Sequence, residues 1–122
     1  MELKRVVVTG LGAISPLGND VETTWTNAKN GVSGAGPITH FDASKFKTQF
    51  ACEVKDFDPT QHFDRKKLRQ LDLYAQYAIV AARQAVAAAN LEAEGAVNTD
   101  RVGVIVAAGI GGLHTVAGEA GY

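Results

Sequence analysis

The sequence predicts an α/β protein in which buried strands alternate with helices. Two apolar runs, residues 6–8 and residues 102–108, have the composition of strands covered on both faces. Between them, apolar residues recur every three or four positions from Leu68 to Ala89, which is typical of a helix with one buried stripe. Glycines follow both apolar runs and indicate tight turns at the strand ends.

Each element carries its own local signal. Asn19 or Asp20 can cap the first helix, and Gly31 can end it. Trp25 is expected to anchor that helix to a core. The predicted elements, in chain order, are a strand over 3–9, a helix over 21–30, a short strand over 49–54, a turn opened by Pro59, a separate helical turn at 64–69, a long helix over 71–90, a strand over 102–108 and a helix from about 113 onward.

Bulk properties limit the class of protein. The chain has 122 residues, enough for one ordinary domain, and a net charge of -1 that indicates neither an acidic nor a basic partner. No apolar run is long enough to cross a bilayer, and the N-terminus lacks the pattern of a signal peptide. A single cysteine, Cys52, cannot form an internal disulfide. We therefore expect a cytoplasmic protein with no membrane partner.

The first glycine turn could belong to a nicotinamide-binding fold. Gly10 and Gly12 follow the first strand as the fingerprint requires, but Ser15 stands where the third glycine belongs. No acidic residue ends a strand about 20 residues later to hold a ribose. A tight strand-exit turn is the favoured interpretation, and a nicotinamide-dependent oxidoreductase is the alternative.

Nucleophiles and metal ligands give no strong signal. Cys52 falls inside a predicted strand, where a buried and inert thiol is favoured over a reactive one. His40, His62 and His114 lack metal-type spacing to one another or to the cysteine. We therefore predict no catalytic residue, no metal and no cofactor in this chain.

A basic cluster is the clearest charged feature. Arg65, Lys66, Lys67 and Arg69 place four cations in five positions of a chain whose net charge is -1. If they open a helix, they oppose its dipole, which invites a reason such as an acidic partner. A solvated turn explains them equally well. The cluster is too short, and too poor in aromatic residues, to predict nucleic-acid binding.

Several motifs in fixed order resemble one family. They are VVTGLGAISPLG at 7–18, Trp25 followed by GVSG at 31–34, FD at 41–42 with VKDFD at 54–58, and GIGGL at 109–113. Over essentially its whole length, the chain resembles the beta-ketoacyl-acyl-carrier-protein synthases of the type II class. Whether a fatty-acid or a polyketide-type synthase is the nearer relative stays open.

The resemblance implies a thiolase-like fold, with two similar halves that each hold a five-stranded sheet covered by helices, and a homodimer. Residues 1–122 would form the first portion of the N-terminal αβαβα half, with no second complete domain. The chain ends as a helix begins, so we expect a cut there. A non-catalytic module that binds a carrier protein is a further alternative, although we doubt that the segment folds alone.

The resemblance also implies a reaction, the decarboxylative Claisen condensation of malonyl-acyl carrier protein with an acyl group held on a cysteine. The family's nucleophilic cysteine and two histidines lie beyond Tyr122, and none of the four candidates above matches them. The isolated chain should therefore be inactive. Lys66 and Arg69, with Lys67 as a neighbour, match the segment that docks acyl carrier protein, whereas Gln70 departs from it. Ile110 matches the apolar residue bordering the fatty-acyl pocket near the dimer interface.

Overall fold

The computed structural model describes residues 3–121. Its elements are α1 (Val21–Lys29), β1 (Gly36–Pro37), β2 (Phe50–Ala51), a 3-10 turn (Pro59–Gln61), α2 (Arg65–Leu68), α3 (Leu73–Ala88), a second 3-10 turn (Thr99–Arg101) and α4 (Leu113–Glu119). The four predicted helical segments and the turn at Pro59 are all confirmed, with ends within a few residues of those expected.

Aspartates fix where the first two helices begin. The carboxylate of Asp20 accepts hydrogen bonds from the backbone N–H of Thr23 at 2.7 Å and from its hydroxyl at 2.8 Å. Asp20 is therefore the cap of α1, because such an acceptor satisfies a donor left over in the first turn. Asn19 is not the cap; its side-chain amide donates to the carbonyl of Lys55 at 2.9 Å. Asp64 caps α2 in the same way, through the N–H of Lys67 at 2.7 Å.

The long apolar runs do not form strands within residues 3–121. The sheet described there is the antiparallel pair of β1 and β2, with Gly36 opposite Ala51, so the short strand predicted over 49–54 is confirmed only at two residues. Val6 is 92% exposed and Ile105 is 97% exposed. The prediction of buried strands at 3–9 and 102–108 is wrong for this chain, because a strand needs hydrogen-bonded partners along its edges, and the described residues supply none.

A small aromatic cluster holds the middle of the chain against α3. The ring of Phe57 meets Tyr77 edge to face at 4.9 Å and stacks on His62 at 5.6 Å. Arg83 lies over Phe63 at 5.2 Å and donates to the carbonyl of His62 at 3.0 Å. These contacts fasten the segment before α2 to the side of the long helix. Among the described residues, the buried ones outside the glycines are Ala43, Phe63, Gln76 and Val80.

Gln84 of α3 fastens the N-terminal segment. Its side-chain oxygen accepts from the N–H of Ala13 at 3.0 Å, and its amide donates to the carbonyl of Asn19 at 2.7 Å. Both bonds are partly buried and join positions 65 or more residues apart. The turn after the first apolar run is thereby tied to the C-terminal half of the long helix.

Much apolar surface stays open. The accessible area is 10196 Å², about 1.6 times the area expected of a compact monomer of 12.9 kDa. Trp25 is 62% exposed, with the Lys29 ammonium 5.8 Å from its ring, so the expected core anchor is wrong for this chain. No helix within residues 3–121 is long and apolar enough to span a membrane.

Candidate functional site

The second glycine turn, residues 109–112, lies against the start of α3. Gly111 has a φ of 75°, in the left-handed region that favours glycine, and it faces the ring of Tyr74. The N–H of Leu113 donates to the carbonyl of Gly111 at 3.1 Å as α4 begins. Ile110 stands at the outside of this turn and is 80% exposed. The turn thus presents the exposed side chain of Ile110 on a backbone that contacts Tyr74 at the start of α3.

Asp72 joins the start of α3 to α4. Its carboxylate accepts a hydrogen bond from the hydroxyl of Thr115. The same carboxylate fills the space where a side chain on Gly112 would otherwise begin. A cleft of about 350 Å³ lies here, between the first residues of α3 and the glycine turn. Sequence analysis missed this connection, because an aspartate before a helix signals only an N-terminal cap.

A second depression runs along α3. It measures about 470 Å³, and Tyr74 borders both it and the cleft at the glycine turn. Its lining is mainly apolar and consists of Tyr74, Ala75, Ala78, Ile79, Ala82, Arg83, Val86, Glu92, Val104 and Val106. The apolar stripe predicted for the long helix therefore faces the second apolar run across a groove that the described residues leave open.

The basic segment, Arg65 to Arg69, forms the single turn of α2 and its C-terminal cap. All four of its cations are exposed. Within residues 3–121, no carboxylate lies within 4.0 Å of any of them. The helix dipole gives these cations no net cost, because in one turn they occupy both ends of the helix. The segment ends three positions before Asp72 in the sequence.

Comparisons with known proteins decide the family. Residues 3–121 match the family described as "Beta-ketoacyl synthase, N-terminal domain". The chain belongs to the beta-ketoacyl synthase family. The family match thus covers both the glycine turn and the basic segment, and it agrees with the resemblance drawn from the motifs.

Curated relatives in this family are long proteins. The chain is 50% identical to the "3-oxoacyl-[acyl-carrier-protein] synthase 2" of Staphylococcus aureus (strain N315), over 92% of this chain and 27% of that protein. It is 50% identical to the protein of the same name from Coxiella burnetii, over 93% of this chain and 27% of that protein. The relative from Synechocystis is 48% identical over 95% of this chain and 28% of that protein. The chain thus spans about a quarter of their length.

A solved structure supports the fold. The ishigamide ketosynthase/chain length factor superposes with a TM-score of 0.63 at 39% sequence identity, over 80% of this chain and 23% of that one. The α/β class and the thiolase-like fold predicted for this chain are therefore confirmed. The family match also stands against the alternative of a nicotinamide-binding fold, and Gly10 and Gly12 pack directly on the backbone of α3.

Two of the three histidines approach each other, whereas Cys52 lies at the end of β2. Cys52 is exposed just after β2, so the expected burial is wrong. The rings of His40 and His114 lie 6.2 Å apart, and Nε2 of His40 is 3.9 Å from a Glu53 oxygen. Hydrogen bonds from Thr39 lower the pKa of Glu53. Among residues 3–121, no three or more His, Cys, Asp or Glu side chains gather as metal ligands.

Proposed function

We propose that this chain forms the first portion of the N-terminal half of a beta-ketoacyl-acyl-carrier-protein synthase, an acyltransferase of fatty-acid biosynthesis. Residues 1–122 would belong to that half, with no second complete domain. The observation that carries the proposal is 50% identity over 92% of the chain with a protein named 3-oxoacyl-[acyl-carrier-protein] synthase 2. We place the complete synthase in the cytoplasm as a homodimer.

The proposed reaction makes one carbon–carbon bond. Malonyl-acyl carrier protein loses carbon dioxide, and the resulting carbanion attacks the thioester carbonyl of an acyl group on a cysteine. The carbon–sulfur bond then breaks, the thiolate leaves, and 3-oxoacyl-acyl carrier protein is released. Electrostatic stabilisation of the developing enolate and oxyanion supplies much of the rate in such chemistry. The cysteine and two histidines lie outside this chain, which should be inactive alone.

We assign carrier-protein docking to Lys66, Lys67 and Arg69. Their support is physical: all three are exposed, and no described carboxylate neutralises them. Complementary charge accelerates association and selects the partner more than it adds raw affinity. An acidic carrier protein would therefore meet a preformed positive surface. Gln70 is neutral at the end of this surface, which limits its charge.

We assign Ile110 to the wall of the fatty-acyl pocket. An exposed aliphatic side chain on a firmly held turn suits contact with an alkyl chain, because removing both apolar surfaces from water is favourable. The remaining wall would come from residues outside this chain and from the partner subunit.

A condensation assay on the complete synthase tests the function. Malonyl-acyl carrier protein and a medium-length acyl-acyl carrier protein should give carbon dioxide and a 3-oxoacyl product two carbons longer. The chain of residues 1–122, assayed in parallel, should give neither product. A folded complete protein that forms no condensation product would contradict the proposal, and turnover of a nicotinamide cofactor by that protein would favour the oxidoreductase alternative.

A second candidate function is carrier-protein binding without catalysis. The exposed basic segment favours it, because docking at that surface needs no residue outside the chain. Titration of residues 1–122 with acyl carrier protein separates the two. Saturable binding by the chain, together with an inactive complete protein, would select the binding module.

A further inference from the structure

We infer that Asp72 is a positioning residue for the glycine turn and, through that turn, for Ile110. The inference rests on the proposed function, because Ile110 is assigned there to the acyl pocket. Beyond that assignment, Asp72 and its neighbours set the direction in which Ile110 points. They lie at the start of α3 and in α4, and none of them touches the alkyl chain in this scheme.

Asp72 departs from the other aspartates that cap helices among the described residues. It occupies the N-terminal cap position of α3 with extended backbone angles, yet its side chain makes no capping hydrogen bond to that helix. Asp20 and Asp64 both accept from the third helical N–H at 2.7 Å. The carboxylate of Asp72 instead accepts from the hydroxyl of Thr115, 43 positions along the chain. A local capping interaction has been replaced by a long-range one.

Gly112 supplies the space that this carboxylate needs. A Cβ placed on Gly112 would overlap all three terminal atoms of the Asp72 side chain. The carbonyl of Gly112 also accepts from the N–H of Val116 at 3.0 Å, within the first turn of α4. The last glycine of the turn is therefore fixed on one side by α4 and on the other by Asp72.

Ile110 depends on these neighbours for its direction. It is 80% exposed, so its own side chain has little packing to hold it. Two positions later, Gly112 meets Asp72, and between them Gly111 faces the ring of Tyr74. The start of α3 thus fixes the backbone immediately after Ile110. Loosening that support would let the pocket wall take several directions.

The support beneath Asp72 is itself fixed. Gln76 is buried and donates its amide to the carbonyl of Leu71 at 2.9 Å. The N–H of Gln76 donates to the carbonyl of Asp72 at 3.0 Å. Gln76 therefore holds Leu71 and Asp72, the two residues before α3, through its side-chain amide and its backbone N–H. The backbone that carries the Asp72 carboxylate is thus fixed.

The test compares removal of the carboxylate with its conservative replacement in the complete synthase. Asp72→Ala and Thr115→Val remove the acceptor and the donor, whereas Asp72→Asn and Thr115→Ser keep them. Asp100→Ala and Thr48→Val are matched controls at exposed positions. Two readouts are measured: kcat/KM across a series of acyl chain lengths, and amide hydrogen exchange of residues 110–113.

We expect Asp72→Ala and Thr115→Val each to broaden the chain-length profile and to speed exchange at the turn about three- to tenfold, as for a lost hydrogen bond to a charged group near solvent. The double variant should match the singles, because both remove one interaction. Asp72→Asn and Thr115→Ser should stay near wild type.

Two results would overturn the inference. One is an unchanged profile and unchanged exchange in Asp72→Ala. The other is an equal change in Asp72→Ala and Asp72→Asn, which would make the charge, and not the bond to Thr115, the relevant property. A wild-type protein without condensation activity would remove the proposed function, while the exchange comparison would still decide whether Asp72 holds the turn.

Discussion

Gly12 lies against the backbone carbonyl of Ala81 so closely that a methyl group at position 12 would overlap it. Gly10 makes the same approach further along α3, at Ala85 and Ala89. The small side chains of this helix permit the contact, and the glycines complete it. The first glycine pair therefore packs the N-terminal segment against the long helix, whereas the sequence predicted a tight turn at the exit of a strand that the structure does not form.

Replacing Gly12 by alanine should destabilise the complete synthase. The new methyl group meets backbone atoms of α3, which cannot rotate away, so the segment or the helix must shift. Overpacking of this kind costs about 1–3 kcal/mol. The measurement is the midpoint of unfolding in urea, with Gly36→Ala as the control, because no atom lies within 4 Å of a Cβ built there. Equal losses in both variants would count against the packing role.

Local signals made the helices predictable. Asp20 before an apolar pattern, and the stripe of residues three and four apart in α3, act within one or two turns of the chain. Such local signals act independently of the structure that surrounds the helix. The strands at 3–9 and 102–108 were predicted from apolar runs, but a strand is completed by segments distant in sequence. No described residue pairs with them, and Ile105 stands almost fully exposed.

The candidate site was predictable only in part. The cations at 65–69 and the glycines at 109–112 are visible as composition, and their roles came from resemblance to the family. The bond between Asp72 and Thr115 joins positions 43 apart and leaves no periodic or spacing signal. The contact between the rings of His40 and His114 was equally unpredictable, because no sequence pattern places the loop of His40 beside His114.

The stability of α1 should depend on pH through Asp20. Hydrogen bonds from the backbone and hydroxyl of Thr23 hold the pKa of Asp20 below its ordinary value of 3.8. A lowered folded-state pKa means that the stabilisation is present above pH 3.8 and is lost as the pH falls through the lower, folded value. Asp20→Asn keeps an acceptor for the cap but cannot titrate.

We therefore expect wild type to exceed Asp20→Asn in urea midpoint at pH 6, with the gap narrowing as the pH falls below 3.8. Asp42, Glu53 and Asp58 also have lowered pKa values, so only the difference between the two proteins isolates Asp20. Asp100→Asn controls for removing one acidic group. A gap that stays constant from pH 6 to pH 3 would show that the cap does not titrate with folding.

Charge reversal at the basic segment should weaken carrier-protein docking. Lys66→Glu with Arg69→Glu should raise KM for carrier-bound substrates about tenfold or more, with kcat retained, since exposed charges act mainly on encounter. Lys45→Glu with Lys47→Glu makes the same change of charge at another exposed segment and should leave KM near wild type. Added salt should raise the wild-type KM more than that of the reversed variant. An unchanged KM after reversal would remove these residues from the docking surface.

A gain of docking is expected from Gln70→Arg. The substitution places a fifth cation beside Arg69, directly after the basic segment, where the resemblance to the family allows a basic residue. KM for carrier-bound substrates should fall by a few-fold at low ionic strength and converge with wild type at high salt. Gln61→Arg, at another exposed glutamine, is the matched control, and an equal fall in both variants would indicate a nonspecific charge effect.

Ile110 variants should change chain-length preference. Ile110→Phe narrows the space available to an alkyl chain and should shift preference toward shorter acyl groups. Ile110→Ala widens that space and should admit longer ones, with differences of roughly tenfold for each one or two methylenes affected. The measurement is kcat/KM over a series of acyl-carrier proteins. Val97→Phe, at a residue that is 38% exposed and outside the glycine turn, is the control. Ile110 profiles that coincide with wild type would take Ile110 out of the pocket wall.

Residues 1–122 alone should behave as an incompletely packed chain. The accessible area of 10196 Å² and the exposed apolar runs at 3–9 and 102–108 leave surface that a compact monomer of this size would bury. We expect the isolated chain to bind the dye ANS, to self-associate on gel filtration and to unfold over a broad range of urea. The complete synthase should do none of these. A monomeric chain with a sharp unfolding transition would show that α3 and its attached segments suffice for folding, and that result would restore the carrier-binding module as a self-standing function.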